Sequence, residues 1–245
     1  MKVEILPVGD MAIQVFYDAP ITEDLHYTIQ QTSKLIIDSR TDGITEMVPG
    51  FQSITIYYNP LLTTFAELAK KVEEITGQAV GEKSQSQKEV MLIPTCYGGG
   101  FGEDLQRVAS LHNLSPHEVI SLHTSVDYLV YMIGFLPGFP YLKGLKEEIS
   151  TPRLFTPRLH VPRGAVGIGG NQTGIYPLAS PGGWNLIGRT PIRLFDPMLP
   201  TPFLLKTGDY IRFYPITEEE FFEIEELVKK KRFQVERRVI PLESN

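Results

Sequence analysis

Between Thr151 and Phe195 the chain carries five arginines, Arg153, Arg158, Arg163, Arg189 and Arg193, and no aspartate or glutamate. A guanidinium offers a planar fork that matches a carboxylate or a phosphate. One reading is an anion site for a carboxylate substrate, a phosphate or an acidic partner. The other is ion pairing with the 29 acids found elsewhere in the sequence. The first three arginines recur at five-residue intervals in TPR, TPR and VPR. An odd interval alternates faces in a straight strand, but the prolines break such a strand, so spacing alone does not say which arginines converge. His160 lies within this segment and is the candidate for hydrogen bonding or proton transfer.

Two aromatic, glycine-rich motifs flank the arginines. YMIGFLPGFPYLKGL, from Tyr131 to Leu145, follows a strand-like run and then inserts Gly134, Pro137, Gly138 and Pro140 among Phe135, Phe139 and Tyr141. GNQTGIYPLASPGGWNLIGR sets the only tryptophan, Trp184, beside Gly182 and Gly183, with Asn171, Gln172, Thr173, Ser180 and Asn185 as polar neighbours. Apolar walls with a few polar groups describe a small-molecule site. The alternative is a set of barrel turns with Trp184 as a core anchor. The site reading predicts a barrel cleft lined by Phe135, Phe139, Tyr141, Arg158, His160, Arg163, Gln172 and Trp184, with Thr173 and Arg189 as further binding candidates.

Other motifs carry less. YGGGFG precedes a helix but lacks both the GK[ST] of a P-loop and the GxGxxG order, so it reads as a turn. His112, His117 and His123 have no metal-site spacing, and no metal motif is recognised. Ser180 has no GxSxG context. Cys96 reads as packing.

The elements that must position these groups fall into two parts. Residues 1–80 read as a small α+β domain: two strands around Gly9–Asp10, a helix over 22–39 capped by Thr22, two strands around Pro49–Gly50, and a helix after Thr63 or Thr64. That order predicts an antiparallel sheet with both helices on one face. Residues 81–88 read as a linker within the polar stretch QAVGEKSQSQK. Residues 89–245 open with the strand EVMLIP and a short helix from Glu103 to His112. A helix capped by Ser115 with Pro116 and Glu118 follows, then the strand DYLVYMI. From Tyr131 to Pro200 there are ten prolines and eleven glycines around short β-prone runs, AVGIG, GIYPL, NLIG and IRLF. That pattern predicts a mainly-β barrel or sandwich. FLLK and DYIRFYPI read as two further strands, and a helix capped by Thr217 and Glu220 closes the domain.

The bulk numbers narrow the function. The net charge of −6 argues against nucleic acid or an anionic membrane surface as partner. One cysteine excludes an internal disulfide and fits a reducing compartment. No secretory signal and no run of ~20 apolar residues is seen, so a cytoplasmic protein is expected.

YMIGFLPGFPYLKGL and TPRLFTPRLHVPRGAVGIGGNQTGIYPLASPGGWNLIGRTPIRLFDP together resemble the hallmark of the allophanate hydrolase subunit 1 family, also called the KipI family or the family of 5-oxoprolinase B subunits. Weaker similarity covers PTCYGGGFGEDL, SPHEVISLH and PVGDMAIQVFYD. The resemblance implies a small α+β domain followed by a cyclophilin-like β-barrel. It implies action with a KipA-type (C-type) protein and a LamB/YcsF-type (A-type) protein, as a 5-oxoprolinase that opens 5-oxoproline to glutamate using ATP. No ATP motif is recognised here, which leaves that site unfamiliar, shared, or in another member of the complex. A homologous pair is fused within urea carboxylase, but this chain has no biotin-carrier motif and is not expected to carry biotin. The family's other role is inhibition of a sporulation sensor histidine kinase through the barrel domain.

Overall fold

A computed structural model describes residues 2–77 and 87–241. The expected linker therefore lies outside the described residues except for its last two positions, which already belong to a strand. The chain forms two compact units, one up to residue 84 and one from residue 85.

In the first unit β1 (Lys2–Pro7), β2 (Ala12–Asp18), α1 (Glu23–Asp38), β3 (Ile44–Pro49), β4 (Ser53–Tyr58) and α2 (Phe65–Thr76) follow in order. The strands form an antiparallel sheet ordered β1-β2-β4-β3. Alternate residues, Ile13, Val15 and Tyr17 on β2 and Ile54, Ile56 and Tyr58 on β4, face one core. Leu25, Ile29 and Ile36 of α1 and Leu68 and Val72 of α2 fill it from the same side. Both helices start on threonine: the Thr22 hydroxyl accepts from Leu25 N–H, and Thr64 forms a full capping box with Glu67.

The second unit runs β5 (Gln87–Tyr97), α3 (Leu105–Leu111), α4 (Pro116–Thr124), β6 (Tyr128–Ile133), β7 (Pro140–Lys143), β8 (Arg158–Val161), β9 (Ala165–Gly169), β10 (Gln172–Ile175), β11 (Ser180–Gly182), β12 (Asn185–Arg189), β13 (Tyr210–Pro215), α5 (Glu218–Lys229) and β14 (Arg237–Pro241). Seven strands close a barrel in the order β5-β12-β9-β10-β7-β6-β13, and β13 returns to β5 as a parallel pair. The other ring pairings are antiparallel. β14 adds to the outer part of β5.

Side-chain alternation sorts the wall into two faces. Ile93, Val130, Leu142, Val166, Ile168, Ile175, Ile187, Ile211 and Phe213 fill the lumen, with Val108 of α3 and Val119 of α4 packed into the same core. His123 of α4 also enters it. Its Nδ1 lies 2.8 Å from the Tyr97 hydroxyl and its Nε2 lies 3.0 Å from Thr173 Oγ1. Thr173 donates to Gly167 O at 3.0 Å, so its oxygen accepts from Nε2–H and Nδ1 accepts from Tyr97. Burial pushes the His123 pKa down to about 3, and the ring is neutral.

Several expected elements differ. IRLF and FLLK form no strands; they meet through a single bridge, Phe195 to Phe203, whose rings stack at 5.1 Å. Pro191, Pro197, Pro200 and Pro202 crowd these runs and remove ladder donors. α3 begins at Leu105 rather than Glu103; Asp104 stands at its N-cap but directs its carboxylate to Leu186 N–H and Arg158 instead of capping. β14 follows α5, where no strand was expected.

Candidate functional site

β8 and β11 pair as a separate two-stranded ribbon, Ser180 opposite Val161 and Gly182 opposite Arg158. The ribbon and the segment before it lie over the outer face of the barrel wall. Leu154 N–H donates to Gly183 O at 2.7 Å, and Thr151 bridges Gly170. Beneath them Phe139, Val161, Ala165, Tyr176, Trp184 and Leu186 form a second buried cluster, opposite the lumen.

Glycine makes room for it. A Cβ on Gly169 of β9 would lie 2.5 Å from the Trp184 ring, and one on Gly174 of β10 would lie 3.0 Å from both Phe139 and Trp184. The two strands are thus bare on this face where the aromatics pack against them. Phe139 is the hub: its ring meets Tyr176 and Trp184 edge-on at 5.2 and 5.4 Å, Tyr141 at 5.0 Å and Phe135 at 5.7 Å.

A cavity of about 290 Å³ opens between cluster and ribbon. Phe135, Phe139, Tyr141, Tyr176 and Trp184 make the wall side; Arg153, Leu154, Pro157, Pro181, Gly182 and Gly183 make the ribbon side. The Arg153 guanidinium sits 5.7 Å from the Trp184 ring centroid. Among the described residues it has no carboxylate partner. Phe135, 63% exposed, stands at the mouth with φ +67°, a left-handed conformation rare for a side chain of this size. The turn that holds it is closed by Leu136 N–H to Gly134 O, Phe139 N–H to Leu136 O and Gly134 N–H to Phe139 O.

Tyr141 and Tyr176 have pKa values raised by burial, an effect that Arg153 partly offsets. Both remain protonated at neutral pH and offer O–H donors rather than bases. No aspartate, glutamate, histidine, serine or cysteine lines the cavity among the described residues. The arrangement suits binding rather than catalysis: apolar walls could take a small body, and Arg153 a negative charge. It holds no nucleophile–base pair.

Of the residues expected to converge, Phe135, Phe139, Tyr141 and Trp184 do. They meet over the outer face of the barrel wall. Arg158 does not line the cavity: its Nε lies 2.8 Å from Glu103 and its Nη2 lies 2.7 Å from Asp104, while Nη1 donates to Trp184 O at 3.4 Å. It ties the GED turn to the ribbon. The YGGGFG loop is a packed turn, with Gly98 N–H donating to Ile187 O and the Phe101 and Gly102 N–H groups both donating to Gly98 O. His160 is exposed on β8, outside the cavity. Gln172 opens β10 without reaching it, and Thr173 points into the lumen. Arg163 and Arg189 lie against α5, where Arg189 stands over the Phe221 ring. Asn185 is buried, receiving from Arg107 and donating to Pro152 O and Ile168 O. Sequence reasoning missed Arg153 and Tyr176. The signal for Arg153 was its place as the first of the TPR arginines; nothing in the pattern set Tyr176 apart from core aromatics.

Comparison with known proteins bears on this site. Residues 3–205 match the family described as carboxyltransferase domain, subdomain C and D. This chain belongs to that family. The 5-oxoprolinase B subunit of Bacillus subtilis is 38% identical over 231 residues, which cover 90% of this chain and 96% of that protein. The 5-oxoprolinase B subunit of Escherichia coli is 41% identical over 215 residues, covering 86% and 95%. The K. lactis urea amidolyase structure superposes with a TM-score of 0.82 over 98% of this chain and 16% of its own, at 23% identity, which shows the shared fold. YMIGFLPGFPYLKGL and the TPR-to-DP segment both fall inside the matched range, so the motifs that build the aromatic cavity belong to the family region of the chain.

Proposed function

We propose that this chain is the non-autonomous B-type component of an ATP-dependent 5-oxoprolinase, which opens 5-oxoproline to glutamate. The aromatic cavity with Arg153 over Trp184 carries the reading. 5-Oxoproline is a five-membered lactam bearing one carboxylate. The Phe139, Tyr176 and Trp184 rings suit the flat ring, and the unpaired Arg153 suits the carboxylate. The names of relatives that are 38 and 41% identical support the same substrate.

The lining also supports dependence on partners. With no base or nucleophile in the cavity, the group that activates water at the lactam carbonyl comes from another protein of the complex, for which the KipA-type (C-type) and LamB/YcsF-type (A-type) proteins are the candidates. The aromatic cavity does not fit ATP: Arg153 is the single cation among its lining residues. We therefore assign ATP to the assembled complex and derive no step through it in this chain. In this reading the barrel is of the cyclophilin-like type and the complex is cytoplasmic. Among the described residues no helix is long and apolar enough to cross a membrane.

A second reading, inhibition of a sensor histidine kinase, has its own observation: Leu159 on the ribbon and Phe155 just before it are 91% and 103% exposed, and Phe135 is 63% exposed. Co-purification from the native host separates the two. The enzyme reading expects the C-type and A-type proteins, with 5-oxoproline-dependent ATP hydrolysis in the reconstituted mixture and none by this chain alone. Recovery of a histidine kinase instead, with no turnover in the mixture, would replace it.

A further inference from the structure

The three arginines left over by the aromatic cavity gather on one stripe of α5. Arg189 pairs in register with Ala165, and its Nε donates to Arg163 O at 2.9 Å, which sets the two side chains together. Arg189 stands 5.7 Å from the ring of Phe221, and Arg163 Nη2 is 3.9 Å from Glu225, one helical turn on. Val228, the next residue of the stripe, lines a cavity of about 380 Å³ together with Arg193.

The charges there do not balance. Glu225 also receives Lys229 at 3.0 Å, and its contact with Arg163 is too long for a hydrogen bond. Arg193 reaches Asp196 only at 3.7 Å. Lys231 adds a cation to the cavity wall, whereas Arg237 there is paired with Glu89 at 2.7 Å; Asp196 is the sole acid among the lining residues. Arg163, which lies outside the lining of that cavity, has a buried Nη1 with no hydrogen-bond partner among the described residues. Burial first, then the fields of Arg193 and Arg189, lower the Arg163 pKa against the opposing pull of Glu225. A guanidinium keeps its charge in a protein, so the cluster is relieved by an added anion. A water would satisfy the N–H and leave the charge.

We propose that this face binds a small molecule through a phosphate-type oxyanion held by Arg163 and Arg193, with its body in the adjoining cavity. A tetrahedral dianion has enough acceptors to engage two guanidinium forks at once. The apolar walls, among them Phe203, Val228 and Phe233, suit a carbon body. The site shares no lining residue with the aromatic cavity and does not rest on the function proposed above.

Calorimetric titration of the full chain with inorganic phosphate, at ionic strength held constant with chloride, tests it. Saturable binding is expected, weakened at least about tenfold in Arg193→Gln, an exposed position where folding is not at stake. Arg163→Lys, which keeps the charge and loses the fork, weakens it as well, whereas Arg153→Gln leaves it intact. Glycerol phosphate is the second probe. Binding at least as tight as phosphate identifies a phosphorylated metabolite; binding of phosphate alone identifies the free ion. No saturable heat, or affinities unchanged in both Arg193→Gln and Arg163→Lys, overturns the proposal.

Discussion

Arg153 and Arg158 are separated by five residues and by a complete difference in use. Arg158 has two carboxylates within 2.8 Å, whereas Arg153 has an aromatic face and open space. The acid-free segment announced arginine chemistry but could not say which arginine was free, because the acids that pair Arg158 lie some fifty residues earlier, in a turn whose position depends on the whole barrel. The same limit applies to His160, which stood amid the arginines in sequence and stands exposed in the fold. The histidine with the perturbed environment is His123, and its effect is on stability. Its folded pKa of about 3 lies below its ordinary 6.5. Between those values the unfolded chain binds a proton that the folded chain refuses. The contribution is therefore complete above pH 6.5 and is lost as pH falls toward 3, with a slope of up to about 1.4 kcal/mol per pH unit. Urea-unfolding free energies measured across this range should fall less steeply for His123→Gln than for the wild type. Parallel curves would remove His123 as the cause.

Among the elements, the β8/β11 ribbon and the bare faces of β9 and β10 decide where the site forms. Gly169→Ala drives a methyl into the Trp184 ring, costing about 1–3 kcal/mol as an overpacked contact. Trp184 is the only tryptophan, so its emission reports the displacement directly. A red shift with lowered urea resistance is expected; an unchanged spectrum would mean that the ring does not rest on Gly169. Capped helices were legible to within a residue or two, since Thr22, Thr64, Ser115 and Thr217 each supply the hydrogen bond their sequence context promises. Ser115→Ala should cost about 1 kcal/mol in the same assay, the usual worth of such a cap, and no loss would show the capping box to be idle. Strands were less legible. IRLF and FLLK have β composition, yet prolines confine them to one bridge, while β14 has an ordinary Arg-rich sequence and becomes a strand only because β5 is long enough to offer it an edge.

On the scale of the whole molecule, the α+β unit was readable from periodicity and a mainly-β second unit from the Gly/Pro-rich segment; that it is a barrel rather than a sandwich came from the family resemblance. Barrel closure was not readable, because the β12–β5 pairing joins residues about ninety apart. Nor was the side of the wall that carries the site: Thr173 and Gly174 are neighbours in sequence and lie on opposite faces. The molecule that results pairs a lumen sealed by hydrophobic side chains with an outer pocket that has an arginine and, among the described residues, no catalytic base. A chain built this way is expected to recognise a carboxylate ligand without transforming it. Trp184 emission during titration of the purified chain with 5-oxoproline tests that most directly. We predict a saturable change in the wild type that Arg153→Gln weakens at least about tenfold, as loss of a charge-assisted contact requires. Absence of any saturable change in the wild type, or a response of equal affinity in Arg153→Gln, would contradict it.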